Sequence, residues 1–448
     1  MARTTQKARK STGAPAPRVS LTEIELDKEQ ATRSSKRLIQ KSKQSAGAMV
    51  KAAKRNKEDL HNEFCTRCKN GGSLLKCDYC SRAVCIECIT PPAEAVNTGQ
   101  FRCPHCHLHP DGQKKRAIAP YKAFSSIDVA TVLTGGATQR ETFPVCNAGP
   151  VIVLSIRLAS IPADGAPAAL VYHNLYTYMP GEVVRVELAF DFGSHEGVLA
   201  FGDEIDGLIK RVKGGDLKGY DAFAVYIMDH TDTERGDLHF TIDNKGADEV
   251  STVLDALLPS RLMKLIARRG PARSTLTLLA CGAVVTEKAA RKSLKAFVER
   301  SPFVWVMAFS QPNFQPSIAN HLVMDAAIAW FSHSKQPETT FGDQQRLGAH
   351  TDVFIIKPGE PVTRFLWSHV ARQPFGVPTP LQCGRCMSLL SWRKPSIKKD
   401  GKADALQISM KCKYCEYVFT VDRPDGLVKF TKGKISSTGH GDWYKQIL

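Results

Sequence analysis

Apolar runs alternate with amphipathic stretches from about residue 120 to 370. Short β-branched or aromatic runs at 151–157, 183–190, 222–228, 275–280, 303–309 and 352–357 predict strands. Helical spacing of apolar positions at 203–212, 247–269, 286–300 and 318–332 predicts helices between them. Strand–helix alternation of this kind predicts an α/β domain over 120–372, with a mostly parallel sheet covered by helices. The pattern fails on both sides. Residues 1–60 are rich in Lys, Ser, Ala and Gln, with few large apolar residues. Such a segment cannot bury enough surface to offset its ordering entropy, so a disordered basic tail is expected. On the other side, the Pro- and Gly-rich segment 373–380 reads as a boundary. Strand-like alternation then returns at 405–410 and 417–421.

Charge sharpens this division. Residues 1–60 carry +9, residues 371–448 carry +8, and the 310 residues between them sum to zero. A neutral middle between two basic ends is the pattern of arms that touch nucleic acid or another polyanion; solubilising tails are the plainer alternative. Clusters such as Arg33 to Arg37 and Lys51 to Arg55 in the linker 21–60 suit nuclear import or DNA contact. No secretory signal is expected, and no apolar run reaches the ~18 residues of a membrane span. Twelve of the 14 cysteines fall in six C-x-x-C pairs, which in a reducing compartment means metal. Cys146 and Cys281 stand outside those pairs.

Four of the pairs lie at 61–109: Cys65 and Cys68, Cys77 and Cys80, Cys85 and Cys88, Cys103 and Cys106. Eight thiolates at this spacing make two tetrahedral zinc sites. With the intervening NGGSLLKCDYCSRAVCIEC, PP and FRCPHC, the segment resembles a plant homeodomain (PHD) finger. The resemblance implies a cross-brace, with Cys65, Cys68, Cys85 and Cys88 on one zinc and Cys77, Cys80, Cys103 and Cys106 on the other. Cys85 stands where the family usually has His. The resemblance also implies that the strand Ser73, Leu74, Leu75 and Lys76 pairs with a histone tail as an added β-strand. With Tyr79 the sole aromatic near that strand, an unmodified tail is expected over a methyl-lysine. A protein-contact module without histone preference is the competing reading.

Residues 2–18, ARTTQKARKSTGAPAPR, resemble the N-terminal tail of the third core histone at 13 of 17 positions. Thr5 replaces the histone's first Lys, while Ala8, Arg9, Lys10 and Ser11 are intact. The resemblance implies that methylated Lys10 would suit chromodomain readers. Phosphorylation of Ser11 would oppose them through its added charge. The finger's partner is then a histone tail, either in trans or the chain's own residues 2–18.

In the central domain, His230 ends the apolar run of GYDAFAVYIMDH, and Cys281 ends that of STLTLLACGAV, 51 residues on. This order and spacing over 200–335 resemble the caspase and metacaspase fold. The resemblance implies Cys281 as nucleophile, His230 as proton carrier and backbone N–H groups near Cys281 as the oxyanion site. Thr231 and Gly282 depart from the family's usual neighbours, so an inactive relative is equally implied, and an unrelated α/β domain stays open as a further alternative. Asp191, Phe192 and Gly193 read as a turn.

The remaining pairs, Cys383 with Cys386 and Cys412 with Cys415, predict a β zinc ribbon within 380–448, bringing the cofactor expectation to about three zinc ions. Trp392 with Arg393, Lys394, Lys398, Lys399 and Lys402 could grip nucleic acid; a cap on the central domain is the alternative. The whole reads as a nuclear multidomain protein without membrane contact. Its function is that of a chromatin-associated zinc-finger adaptor that reads or mimics a histone tail, or alternatively of a chromatin-targeted cysteine peptidase using His230 and Cys281.

Overall fold

The computed structural model describes residues 61, 65–67, 73–80, 82–90, 99–108, 120–126, 128–134, 150–163, 165–179, 181–243, 245–269, 273–400, 404–431 and 441–448. The 1–20 segment with Lys10 and Ser11, the 21–60 linker, Cys68, Cys146 and Lys402 lie outside them.

The finger opens with strands β1 (Leu74–Lys76) and β2 (Ala83–Cys85), antiparallel with Leu75 opposite Val84. Strand β3 (Ile89–Thr90) and the short helix α1 (Pro104–Leu108) follow. Its core is built from Cys65, Cys77, Cys85, Cys88 and Cys103 with Val84, Ile89 and Phe101. So few apolar side chains make a marginal unit. Residues 120–126 and 128–134, which the sequence pattern assigns to the next domain, enlarge it instead. Strand β4 (Val132–Leu133) pairs with β3, the Arg102 N–H donates to the Ala123 carbonyl at 2.7 Å, and Phe124 packs on Phe101.

The central unit runs β5 (Val151–Leu158), α2 (Pro167–Tyr178), β6 (Val183–Phe190), α3 (His195–Gly214) and β7 (Ala222–Met228). A small hairpin, β8 (Leu238–His239) with β9 (Ala247–Asp248), precedes α4 (Val250–Leu257) and α5 (Ser260–Arg269). Then come β10 (Thr275–Leu279), α6 (Ala283–Thr286), α7 (Lys288–Arg300), β11 (Val306–Phe309), α8 (Pro316–Ala327), β12 (Val353–Ile356) and β13 (Thr363–Ser368). The helix expected over 247–269 is two helices, because Pro259 has no N–H to continue the ladder.

Five strands are parallel in the order β6-β5-β7-β10-β11, a doubly wound arrangement. Side chains alternate between two cores. Ile152, Leu154 and Ile156 pack with Ile205, Leu254 and Leu294 of the helices on one face. Val151 and Val153 pack with Val171 and Leu322 on the other. Burial on both faces explains why these strands read as continuous apolar runs.

The ribbon follows as a three-stranded sheet, β14 (Ser396–Asp400), β15 (Asp404–Lys411) and β16 (Val418–Asp422). The chain then returns to the central sheet as β17 (Val428–Lys429) and β18 (Asp442–Ile447). Strand β18 pairs with β13 from Ile447 opposite Thr363 to Asp442 opposite Ser368. Among the described residues the large sheet therefore has nine strands, ordered β17-β18-β13-β12-β11-β10-β7-β5-β6, of which the first five in sequence are parallel. The 380–448 segment is thus not all ribbon. Buried Trp443 and Tyr444 hold its last strand in the central fold and cover the β13 edge.

Candidate zinc centres and the ends of the central strands

Three thiol clusters form among the described residues. Cys77, Cys80, Cys103 and Cys106 come together in the finger, as do Cys65, Cys85 and Cys88. Cys383, Cys386, Cys412 and Cys415 come together in the ribbon. Cys80 and Cys103 have their sulfurs 3.7 Å apart, Cys386 and Cys412 3.7 Å, and Cys383 and Cys415 3.5 Å. A zinc tetrahedron with bonds of about 2.3 Å has edges of roughly 3.8 Å, so the donor sets fit the metal. The clusters could therefore hold three zinc ions. The buried Arg82 donates to the Cys80 sulfur at 3.3 Å, which would steady a thiolate there.

Beside the finger's first cluster lies β1. Ser73 and Lys76 are exposed, Leu74 and Leu75 half-buried. Among the described residues, β1 pairs only with β2, leaving its outer edge open. Tyr79 donates to Gln100, and its ring carries the Arg102 guanidinium at 4.3 Å. That face is already occupied by a cation.

At the central sheet, Met228 lies opposite Leu279 in register, so His230 and Cys281 leave adjacent parallel strands at the same level. The crevice beyond the carboxyl ends of such strands is where doubly wound sheets bind ligands. Among the described residues no hydrogen bond joins the two side chains. Instead the His239 ring stands 6.2 Å from the His230 ring, edge to face. Burial, then His239, hold His230 below its ordinary value. Burial pushes the Cys281 thiol up, against hydrogen bonds from Phe314 and Thr231.

A strap after β11 crosses this end of the sheet. The Gly282 N–H donates to the Gln311 carbonyl at 2.8 Å. That amide is next to the sulfur, so a group expected at an oxyanion site is engaged in this conformation. Two glycines permit the closeness. A Cβ at Gly282 would lie 1.8 Å from the Ser310 carbonyl oxygen, and one at Gly236 (φ +76°) would lie 2.5 Å from that of Ala283. Sequence reasoning missed Asp229. Its carboxyl is buried, one oxygen accepts the His230 N–H at 2.7 Å, and Oδ2 has no hydrogen-bond partner. Burial holds it well above the usual carboxylate range.

On the ribbon, Trp392 is half-buried. Its indole N–H donates to the Pro380 carbonyl at 2.6 Å, and its ring packs against Tyr417 and Phe419. It is not free to stack on a base. The Asp191 turn is capped internally, with Oδ1 accepting the Gly193 N–H at 3.0 Å.

Among the described residues no helix is long and apolar enough to cross a membrane. No family model matches the chain. Over short stretches it is similar to three curated proteins. It is 40% identical over 52 residues to a Chromodomain-helicase-DNA-binding protein 3 homolog of Caenorhabditis elegans, covering 12% of this chain and 3% of that protein. It is 40% identical over 46 residues to the human Autoimmune regulator, covering 10% and 8%, and 32% identical over 88 residues to Protein CHROMATIN REMODELING 4 of Arabidopsis thaliana, covering 20% and 4%. The chain thus spans less than a tenth of each relative's length. With the thiol clusters, these partial likenesses support a chromatin-associated zinc-finger role.

Proposed function

We propose that this protein is a nuclear chromatin adaptor whose finger takes up an extended, unmodified histone tail along β1. The open edge of β1 carries this reading. A strand with unpaired backbone groups is a template for peptide addition, and its alternate side chains select the ligand. Arg102 over Tyr79 favours an unmodified tail, because a methyl-ammonium would meet a like charge where it needs a bare ring face.

Residues 2–18 supply a competitor of the same chemistry. Tethered ligands act at effective concentrations on the order of millimolar when the linker spans the gap. Even a Kd of about 1 mM would then leave the edge half occupied in cis. Titrating an unmodified histone-three tail peptide into full-length protein and into protein lacking residues 2–18 tests both steps. The deletion should bind more tightly. Equal affinities would remove self-masking, and absence of binding to either would remove the tail-reading role.

The matched register of His230 and Cys281 supports a second reading, a chromatin-targeted cysteine peptidase with a caspase-like central domain. The Cys281 thiolate would attack a peptide carbonyl, and His230 would carry the proton to the leaving amine. Incubating wild type and Cys281→Ala with histones and peptide libraries tests it. Cleavage lost in the variant is the expected result; cleavage retained by it would assign the activity elsewhere.

A further inference from the structure

The zinc end of the ribbon presents an apolar surface that the core does not use. Leu381 is 71% exposed, Met387 60%, Leu389 67%, Leu390 74% and Tyr414 72%. The four aliphatic side chains belong to one small hairpin. Gln382 bridges to Leu389, and the Leu390 N–H donates to the Leu381 carbonyl at 2.9 Å. Trp392 pins the strand entering it through the Pro380 carbonyl. The hairpin is therefore held in place before any partner arrives, which lowers the ordering cost of binding.

Its backbone adds a second observation. Met387 (φ 58°) and Leu390 (φ 47°) are in the left-handed region, where large side chains are disfavoured and glycine is at ease. Exposed residues gain nothing from the core to offset that strain. Met387 follows Cys386 as Glu416 (φ 63°) follows Cys415, so its backbone belongs to the knuckle; Leu390 is an exposed apolar residue held in the same region outside a knuckle, and strain kept at such a position points to a contact surface.

Charge selects the partner. The two segments that build this end, 381–394 and 411–418, hold five cations, Arg385, Arg393, Lys394, Lys411 and Lys413, against one acid, Glu416. Glu416 is already paired with Arg393 at 2.7 Å and with Lys411. Even with the formal −2 of a zinc held by four thiolates, the end is net cationic. An aliphatic face with a cationic rim fits a protein segment carrying apolar anchors flanked by Asp and Glu. Nucleic acid fits less well, because stacking needs free aromatic rings: beside the four aliphatic side chains the exposed rings are Tyr414 and Tyr417, and Tyr417 already packs against the Trp392 ring. The chain's own residues 432–440, with Lys432, Lys434 and His440, have the same sign as the rim.

We infer that the zinc end of the ribbon is a docking surface for an acidic, apolar-anchored protein segment, with Leu381, Met387, Leu389 and Leu390 as its floor. Full-length, zinc-loaded protein would be panned against a phage-displayed library of random 16-residue peptides, and selected peptides measured by fluorescence anisotropy. The key variant is Met387→Gly with Leu390→Gly, which removes two anchors at positions where glycine suits the backbone. It should keep its zinc content and folded signal while binding the selected peptides at least tenfold more weakly. Selected peptides should be acidic with Leu, Ile or Phe anchors. No enrichment, basic or anchor-free peptides, or equal binding by the double variant would overturn the proposal. So would a random 20-nucleotide single-stranded DNA that binds wild type and is lost in the variant, since that would make the face a nucleic-acid site.

Discussion

Gly282→Ala puts the packing of the Cys281 region to a quantitative test. The added Cβ would stand 1.8 Å from the Ser310 carbonyl oxygen, 2.1 Å from its carbon and 2.8 Å from the Gln311 nitrogen. All three are backbone atoms, so no side chain can swing aside. The strap must move by more than an ångström, yet the Thr351 hydroxyl accepts the Ser310 N–H at 3.0 Å and the Gln311 N–H at 3.1 Å. The Gly282 N–H to Gln311 carbonyl bond holds it from the other side. Overpacking costs about 1–3 kcal/mol, and one or two lost hydrogen bonds add about 1 kcal/mol each. The total is roughly 2–5 kcal/mol, which for a domain of this size lowers Tm by about 4–20 °C. Gly207 is the control. It lies inside α3 with nothing within 4 Å of an added Cβ, so Gly207→Ala should raise stability by about 0.5–1 kcal/mol. Thermal melts followed by circular dichroism give both signs. A Gly282→Ala protein melting within 1 °C of wild type would refute the packing described for the strap.

Three further outcomes are expected. Excess chelator should collapse the dispersed amide resonances of the finger, including those of 120–126 and 128–134, while the central sheet stays folded, because structural zinc supplies roughly 10–16 kcal/mol to such units; a finger that keeps its dispersion refutes this. Asp229→Asn should stabilise the protein at neutral pH. The folded carboxyl holds its proton above the usual range, so wild-type stability falls as pH rises through and beyond ~4, and the advantage of Asn should grow from there; urea melts at pH 4.5 and 7.5 giving equal differences would contradict it. Iodoacetamide should modify Cys281 more slowly at pH 7.5 than a free thiol, since burial raises its pKa above the ordinary 9.0, and mass-spectrometric rates equal to a model peptide would show the sulfur is not so buried.

The central parallel strands were legible because burial on both faces writes them as unbroken apolar runs, as in Ala222–Met228. Cysteine spacing likewise reveals thiol clusters, since a knuckle is a local structure. Helix α3 begins at His195, eight residues before the expected start. The Ser194 side chain caps the Gly197 N–H at 3.1 Å, and Glu196 sits in the first turn, a signal present in the sequence but obscured by the glycines that follow. Helix α2 was not among the expected helices, although Pro167 at its first turn is a start signal of the same kind. Strand β18 was not readable. Its partner β13 lies across the whole ribbon, and only tertiary pairing tells that Trp443 and Tyr444 belong to the central sheet. Asp229 escaped for a similar reason, because its burial and its unpartnered oxygen are properties of the fold.

The two functional readings make unequal demands on this conformation. For Cys281 to act on a peptide, the strap must release the Gly282 N–H, which the Gln311 carbonyl accepts, and lift away from the Thr351 hydroxyl, which accepts the Ser310 and Gln311 N–H groups. At about 1 kcal/mol each, breaking these hydrogen bonds costs roughly 2–3 kcal/mol. That leaves about one molecule in a hundred open, and a gated enzyme would run at about that fraction of its open rate. The raised thiol lowers the thiolate population further. A substrate or partner that binds the open form would therefore have to supply the difference, so a peptidase built this way would be silent until engaged. The finger has no such barrier. Among the described residues nothing covers the outer edge of β1, and a tail can pair with it in the conformation already present. Adaptor behaviour is thus expected wherever zinc is bound and the chain's own residues 2–18 leave the edge free, and cleavage only where something displaces the strap.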